Sequence, residues 1–453
     1  MKDFNNISNV YFLGIGGIGM SALARYFNAK GVKVVGYDKT PSALTDTLIE
    51  EGISIHFEDS VEQLVSNTEL VIYTPAIPKD NVQMNWYLDN GFTLYKRAQI
   101  LGLISQNHFC IAVAGSHGKT TVSSMIAHIL NEADGCTAFL GGIASNYNSN
   151  YIHTSGKYMV VEADEYDRSF LTLSPNIAVI TAIDSDHLEV YGSLENIEHE
   201  FIHFTNKILD EGILVLNEDY KHIEGKVKDG LRILNYGHGP QNDYRLVSYS
   251  VLEGKFHFTL ETKANELLEL MANFGGIHNL ENATAAIAVC KEIGIANEPI
   301  QRAMASFKGI KRRFEKHVDN YNYIYIDDYA HHPMEIRALI HSVKFLYPNK
   351  EILAVFQPHL FSRTKDLQLE FAEELSKADE LILLAIYPAR ELPMAGVSSD
   401  LILKHVALKK KAIVEKENLL VAIKKSAKGK VVLTIGAGDI DRFVNPLIEL
   451  LNE

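Results

Sequence analysis

Three stretches of the chain carry residue types at spacings that suit phosphate and carboxylate chemistry. The first is Gly115-Ser116-His117-Gly118-Lys119-Thr120-Thr121, between an apolar run ending at Ala114 and a helical pattern. A glycine turn there lets backbone N–H groups wrap a phosphate, Lys119 reach the outer phosphoryl oxygens and Thr120 offer a hydroxyl to Mg²⁺. Val113 stands where the first glycine of G-x-x-x-x-G-K-[ST] would be, but the Gly-Lys-Thr triplet is intact. ATP is the expected ligand; a glycine turn with a solvated lysine explains neither the triplet nor its strand–loop–helix setting. The acidic clusters Glu162-Ala163-Asp164-Glu165 and Asp184-Ser185-Asp186-His187 follow at strand ends. In a parallel sheet such ends share the crevice of the phosphate loop, where carboxylates, a hydroxyl and an imidazole can hold Mg²⁺ (or Mn²⁺). His187 beside carboxylates also fits a structural ion pair, and it has no second ligand at helical spacing to make a zinc site.

The second stretch is Gly14-Ile15-Gly16-Gly17-Ile18-Gly19, a G-x-G-x-x-G between a strand and a helix, with Asp38 at the end of the next strand. The glycines allow close approach of a diphosphate to a helix N-terminus, and the acid can take ribose hydroxyls. Helix–strand packing is the plainer use of such glycines. NAD is the obvious ligand, yet nothing else in the chain resembles a dehydrogenase site. The third stretch lies in the last third: Asp327-Asp328-Tyr329-Ala330-His331-His332-Pro333, Phe356-Gln357-Pro358-His359 and Ser362-Arg363-Thr364, each past an apolar run. Arg363 can clamp a carboxylate bidentately; the histidines next to proline also fit an ordinary turn. Asn279 and Asn282, three apart on one helix face, suit an adenine edge or simple capping.

Apolar runs alternate with helical patterns along most of the chain, which reads as α/β with mostly parallel sheets. Val10-Tyr11-Phe12-Leu13 is a strand, and Met20, Leu23, Ala24 and Phe27 then mark one apolar helix face; Val32–Val35 is the next strand. Phe109–Ala114 is followed by a helix with Val122, Met125, Ile126 and Ile129 on one side. Tyr158–Ala163 and Ile177–Ile183 are buried strands, 244–261 reads as a hairpin about Glu253-Gly254, and Leu280, Ala283, Ile287 and Cys290 mark a helix. Tyr323–Ile326, Ile352–Phe356, Leu381–Ile386 and Val431–Ile435 are strands of a third α/β region. At 453 residues two to four domains are expected, and the pattern divides at 1–106, 107–312 and 313–453.

The formal charge of −14 argues against a nucleic-acid or anionic-membrane partner. Cys110, Cys136 and Cys290 are too few and too scattered for a disulfide framework or zinc pattern, so buried reduced thiols are expected. The N-terminal residues have no apolar signal core, no run of about 18 apolar residues offers a membrane span, and a cytoplasmic location follows as the expectation. Oligomeric state is not legible.

Taken together these motifs resemble the Mur ligase family: Gly14 to Ser21, Ala114 to Thr121, Glu162-Ala163-Asp164-Glu165, Asp186-His187, His278-Asn279 with Asn282-Ala283, Lys311-Arg312-Arg313-Phe314, Asp327 to Pro333 and Gly436-Ala437-Gly438. The resemblance implies a first, Rossmann-like domain that binds a UDP-sugar, a central P-loop-type ATP domain and a Rossmann-like third domain that brings an amino acid. It implies an ATP-dependent ligase joining L-alanine to the carboxylate of UDP-N-acetylmuramate through an acyl phosphate, in wall-peptide synthesis. Its sugar-nucleotide residues would be Gly14, Gly16, Gly17, Ile18, Gly19, Met20, Ser21, Asp38 and Thr74. Nucleotide would meet Gly115 to Thr121, Asn279, Asn282, Arg313 and Asp328. Thr120, Glu162 and His187 would hold metal, Lys119 would act on the phosphates, and His331 and Arg363 would meet alanine. A recycling ligase that attaches a tripeptide to the same sugar is the near alternative; a nicotinamide oxidoreductase with an accessory ATP site is the distant one. The chain departs from the family in three places. Ser116 and Val122 replace threonines, Tyr191–Asn206 lacks the lysine that some members carbamylate, and Leu360-Phe361 replaces Arg-Tyr.

Overall fold

The computed structural model describes residues 7–65, 67–184, 188–252, 254–389 and 391–452. These form two compact units. One comprises Met1–Ser248, Phe258–Leu270 and Glu281–Phe307; the other comprises Tyr249–His257, Met271–Leu280 and Lys308–Glu453.

The first sheet contains β1 (Asn9–Leu13), β2 (Lys33–Tyr37), β3 (Ser54–His56), β4 (Leu70–Tyr73) and β5 (Leu94–Lys96), all parallel, in the order β3-β2-β1-β4-β5. Strand order reverses at β1, so the loop leaving β1, Gly14 to Gly19, occupies the switch-point crevice where ligands of open α/β sheets bind. The helix Ile18–Ala29 that follows is buried on more than the expected face: besides Met20, Leu23, Ala24 and Phe27, Ser21, Ala22, Arg25 and Tyr26 are covered. Its far side lies on the second sheet, with the Tyr26 ring 5.5 Å from Phe139 and 6.3 Å from Tyr151.

The second sheet holds β6 (Phe109–Ala114), β7 (Cys136–Ala144), β8 (Ser149–His153), β9 (Tyr158–Glu162), β10 (Ile177–Ile180), β11 (Ile213–Asn217), β12 (Arg232–Gly237), β13 (Tyr244–Leu252), β14 (Lys255–Glu261) and β15 (Leu267–Ala272). Its order is β15-β14-β13-β12-β11-β10-β6-β9-β7-β8. β6 runs parallel between β10 and β9, so the phosphate loop emerges between the carboxyl ends of the two strands that lead to the acidic clusters. The strand expected over Ile177–Ile183 stops at Ile180, because Thr181 turns its hydroxyl to Ala114 O at 3.2 Å and to His117 O.

The third sheet contains β16 (Glu315–Asp319), β17 (Ile324–Asp328), β18 (Ile352–Phe356), β19 (Glu380–Leu383), β20 (Lys411–Ile413) and β21 (Val431–Ile435), ordered β16-β17-β21-β18-β19-β20. All but the antiparallel β16 pair in parallel. The sequence reading misses both edges. β16 reads Glu-Lys-His-Val-Asp and β20 is three residues long, so neither carries the apolar run of a central strand. Leu381–Ile386 shortens to Glu380–Leu383.

All three cysteines are free and buried, and burial pushes the Cys110 and Cys136 thiols up to about 12, as expected for inert core residues. No helix among the described residues is long and apolar enough to cross a membrane.

Candidate active site

The phosphate loop is held open by backbone geometry that only glycine supplies cheaply: φ is +140° at Gly115 and +82° at Gly118. Gly118 is the N-cap of the helix Lys119–Asn131 and offers no side-chain cap, which leaves the first-turn amides for an anion. Ser116 N donates to Ala182 O at 2.8 Å, and Ser116 Oγ accepts from Asp184 N at 2.8 Å. Ser116 thus does the stitching of the loop. His117 Nε2 lies 3.3 Å from Asp184 Oδ2, and this hydrogen bond holds the Asp184 carboxyl below its usual range. Thr120 and Thr121 are buried at the loop's end. Asp184 is therefore a brace of the loop; Ser185, Asp186 and His187 lie outside the described residues.

Lys119 Nζ donates to Gly115 O at 2.6 Å and to Glu165 Oε1 at 2.8 Å. Glu165 is only 3% exposed, and its Oε2 is buried without a hydrogen-bond partner. Burial raises the pKa of this carboxyl against the pull of Lys119. An orphaned carboxylate oxygen beside Lys119 is a position that a cation would satisfy, so Glu165 joins the expected Glu162 as a candidate ligand. Glu162 Oε2 accepts from Gly141 N at 2.9 Å. Spacing alone does not say which carboxylate of Glu162-Ala163-Asp164-Glu165 turns toward Lys119.

In the first loop, Gly16 N donates to Asp38 Oδ2 at 2.8 Å, and Thr40 N lies 3.2 Å from Oδ1. The expected ribose acceptor is thus engaged in fixing the loop itself. A Cβ on Gly16 would lie 2.9 Å from both Asp38 Oδ2 and Thr45 Cγ2, and one on Gly14 would lie 2.5 Å from Thr74 Cγ2. Thr74 therefore sits against the loop. The side chains of Met20 and Ser21 are 2% and 0% exposed, and Ser21 Oγ donates to Ile18 O at 2.9 Å. Their side chains belong to the core. Gly17 is the uncapped N-terminal residue before the helix.

Two groups near this loop escape sequence reasoning. Asn150 on β8 donates to Ser21 Oγ at 2.9 Å and to Ile18 O at 2.5 Å, and it accepts from Arg25, which also forks onto Glu51 at 2.7–3.0 Å. A buried guanidinium requires such partners. Arg97 packs against Gly19, where a Cβ would lie 3.0 Å from Arg97 Cδ, and reaches Asp164 at 3.5 Å. Arg97, Gly19, Gly141, Glu162 and Asp164 line one cavity of about 100 Å³. The links from Asn150 to the first helix cross well over a hundred positions, and Arg97 meets Asp164 across 67 positions at a loose 3.5 Å, so no local spacing signals them.

A Cβ on Gly118 would lie 2.6 Å from Asn282 Oδ1, so this amide stands against the phosphate loop. Asn279, on the same helix His278–Glu292, donates to Gly275 O at 2.6 Å.

In the second unit the loops after β17 and β18 bring His331, His359 and Arg363 together. The rings of His331 and His359 are 6.0 Å apart, and His359 stacks on Tyr387 at 5.9 Å. His359 Nδ1 and Arg363 Nη1 are both buried without a hydrogen-bond partner, and a guanidinium donor left open in this way suits a carboxylate. Leu360 takes φ +70°, a conformation that costs a leucine energy and that clusters at functional loops. It is fixed by Leu360 N donating to Tyr387 O at 3.0 Å and by Thr364 Oγ1 donating to Leu360 O at 2.7 Å.

The Asp328 carboxylate accepts from Phe314 N at 2.6 Å and Ala330 N at 2.8 Å, and burial pushes it up to about 7. It is the neighbouring Arg312 that pairs with the buried Asp327, at 3.2 Å, and donates to Gly436 O at 2.5 Å. The motif's acids and first arginine thus brace the start of this unit.

His359 gives a pH prediction. Burial, with His331 and Arg363 nearby, lowers its pKa to about 4, against about 6.5 unfolded. The fold favours the neutral ring, so its contribution is complete above about pH 6.5 and is lost as pH falls toward about 4. His359→Gln should flatten the acid-side fall in melting temperature over that window; parallel wild-type and variant curves would show the ring is not the group responsible.

Three family models match the chain: "Mur ligase family, catalytic domain" over residues 9–109, "Mur ligase middle domain" over 113–290 and "Mur ligase, glutamate ligase domain" over 312–438. The chain is 48% identical to a UDP-N-acetylmuramate–L-alanine ligase of Flavobacterium psychrophilum, covering 100% of both chains. It superposes on the crystal structure of a UDP-N-acetylmuramate–alanine ligase from Thermotoga maritima with a TM-score of 0.83 and 30% identity, over 98% of this chain and 99% of that one. A murein peptide ligase from Psychrobacter arcticus, 23% identical with a TM-score of 0.69 over 98% and 99%, shares the fold.

Proposed function

The chain belongs to the Mur ligase family, and on that premise we propose its reaction: L-alanine is joined to the lactyl carboxylate of UDP-N-acetylmuramate while ATP is cleaved to ADP and phosphate. The observation that carries this reading is full-length identity of 48% with a ligase of that specificity. The tripeptide alternative rests on a neighbour at 23% identity, which speaks for fold alone. Nothing in the site favours nicotinamide chemistry, and Asp38, its expected ribose acceptor, is taken up by the loop amide.

The lactyl carboxylate attacks the γ-phosphate in line. Lys119 and the amides of Gly115 to Thr121 stabilise charge on the transferring group. The uncharged amine of alanine then attacks the acyl carbon and expels phosphate. Mg²⁺, when bound, neutralises phosphate charge; Thr120, Glu162, Glu165 and the expected His187 would hold it. Arg363 and His359 take the unreacting carboxylate of alanine, with His331 beside them. The Gly14–Gly19 loop and Thr74 take the diphosphate of the sugar nucleotide. Domains at 1–106, 107–312 and 313–453 divide these tasks, and a cytoplasmic location suits a reaction that uses ATP.

The test is an assay for ADP and phosphate with each substrate omitted in turn. Both should appear only when ATP, Mg²⁺, UDP-N-acetylmuramate and L-alanine are all present. Turnover with a tripeptide in place of alanine, at equal efficiency, would reverse the choice. Gly16→Val adds further steric bulk against Asp38 and Thr45, so KM for the sugar nucleotide should rise strongly with ADP affinity unchanged. A selective loss of ADP binding would exchange the roles of the two glycine loops.

A further inference from the structure

The helix Leu194–Thr205 carries His199, Glu200 and His203, the H-E-x-x-H spacing that places two imidazoles one turn apart on one helix face. Their rings are 4.2 Å apart, centroid to centroid, and His203 Nδ1 lies 3.7 Å from Glu200 Oε2. One ligand atom from each of the three lies within 4.8 Å of the others. Glu200 Oε2 is buried without a hydrogen-bond partner, while Oε1 accepts from Arg168 Nε at 3.1 Å. A carboxylate oxygen without a donor, facing two exposed imidazoles, is an arrangement that a divalent cation completes.

We propose that His199, Glu200 and His203 form a binding site for a divalent transition-metal cation of the Zn²⁺ class. Two imidazole nitrogens and one carboxylate oxygen are a donor set such ions take at about 2.0–2.2 Å. Drawing the three atoms to a mutual spacing of roughly 3.3 Å, the edge of a tetrahedron with such bonds, needs side-chain rotation of exposed histidines and no backbone change. The exposed setting leaves water in the remaining positions. Mg²⁺ prefers oxygen donors and keeps its own waters, so the site is chemically distinct from the phosphate loop. Arg168 holds the same carboxylate and competes with the cation for it.

The test is a titration of the full chain with Zn²⁺ against a chromophoric chelator, with excess Mg²⁺ and ADP filling the phosphate loop. One Zn²⁺ per chain should bind. His199→Asn and His203→Asn should each weaken it by at least about tenfold, the loss that even an outer-shell partner can cause. Glu200→Gln should weaken it as well, and Arg168→Ala should tighten it by freeing the carboxylate. Both histidines are exposed, so melting curves of these variants should match wild type and exclude misfolding as the cause. Equal Zn²⁺ binding by wild type and the His199→Asn/His203→Asn double variant would overturn the proposal, as would no binding by wild type.

Discussion

Lys119→Ala should lower kcat by about 10²–10³-fold, the usual loss when one preorganised group facing transition-state charge is removed. The lysine is 15% exposed and hydrogen-bonded at 2.6 Å to Gly115 O and 2.8 Å to Glu165, so it is fixed against the glycine loop. Its removal also strands Glu165. A buried carboxylate that loses its cation destabilises the fold unless it takes up a proton, to which burial already inclines this one. The variant should therefore be compared with Lys119→Ala/Glu165→Gln, in which no charge is stranded. The expected result is a native melting temperature for the double variant and slow turnover for both. Near-normal turnover by a folded Lys119→Ala protein would mean that ATP is activated elsewhere.

Arg363→Lys should raise KM for L-alanine by about 10–100-fold, the range expected when charged hydrogen bonds worth about 1.5–3 kcal/mol are lost. It should also lower kcat and leave sugar-nucleotide affinity unchanged. Lysine keeps the charge but not the planar fork that fixes a carboxylate's orientation. Arg363 Nη1 is buried without a partner beside the equally orphaned His359 Nδ1, and no ion pair joins Arg363 to Asp366 among the described residues. Leu360 and Phe361 supply no second guanidinium. Alanine-saturation kinetics decide: an unchanged KM and kcat would remove Arg363 from the amino-acid site.

Much of the frame is legible because apolar runs in parallel sheets are continuous and bounded by turns. Phe109–Ala114, Ile352–Phe356 and Val431–Ile435 are strands at their expected limits. Legibility fails where tertiary contacts decide. The helix after Gly17 reads as one-faced because its second face meets β7 and β8, far along the chain. The motif Arg312-Arg313 cannot say which arginine turns inward to Asp327. Glu165 and Glu162 share one acidic quartet, and only the fold assigns the lysine to Glu165. The His199/His203 pair was available as spacing in the very segment that lacks a lysine, but spacing on an exposed helix gains meaning only once the rings and the orphaned Glu200 oxygen are seen together.

The central claim is that ATP activates the sugar nucleotide's carboxylate, and isotope transfer tests it most directly. UDP-N-acetylmuramate labelled with ¹⁸O in both lactyl carboxylate oxygens would be turned over with ATP, Mg²⁺ and L-alanine, and the released phosphate analysed by mass. An acyl phosphate hands one carboxylate oxygen to phosphate as the amide forms, so each phosphate should carry one ¹⁸O and the peptide carbonyl the other. Phosphate free of label, or AMP and pyrophosphate as products, would contradict the account.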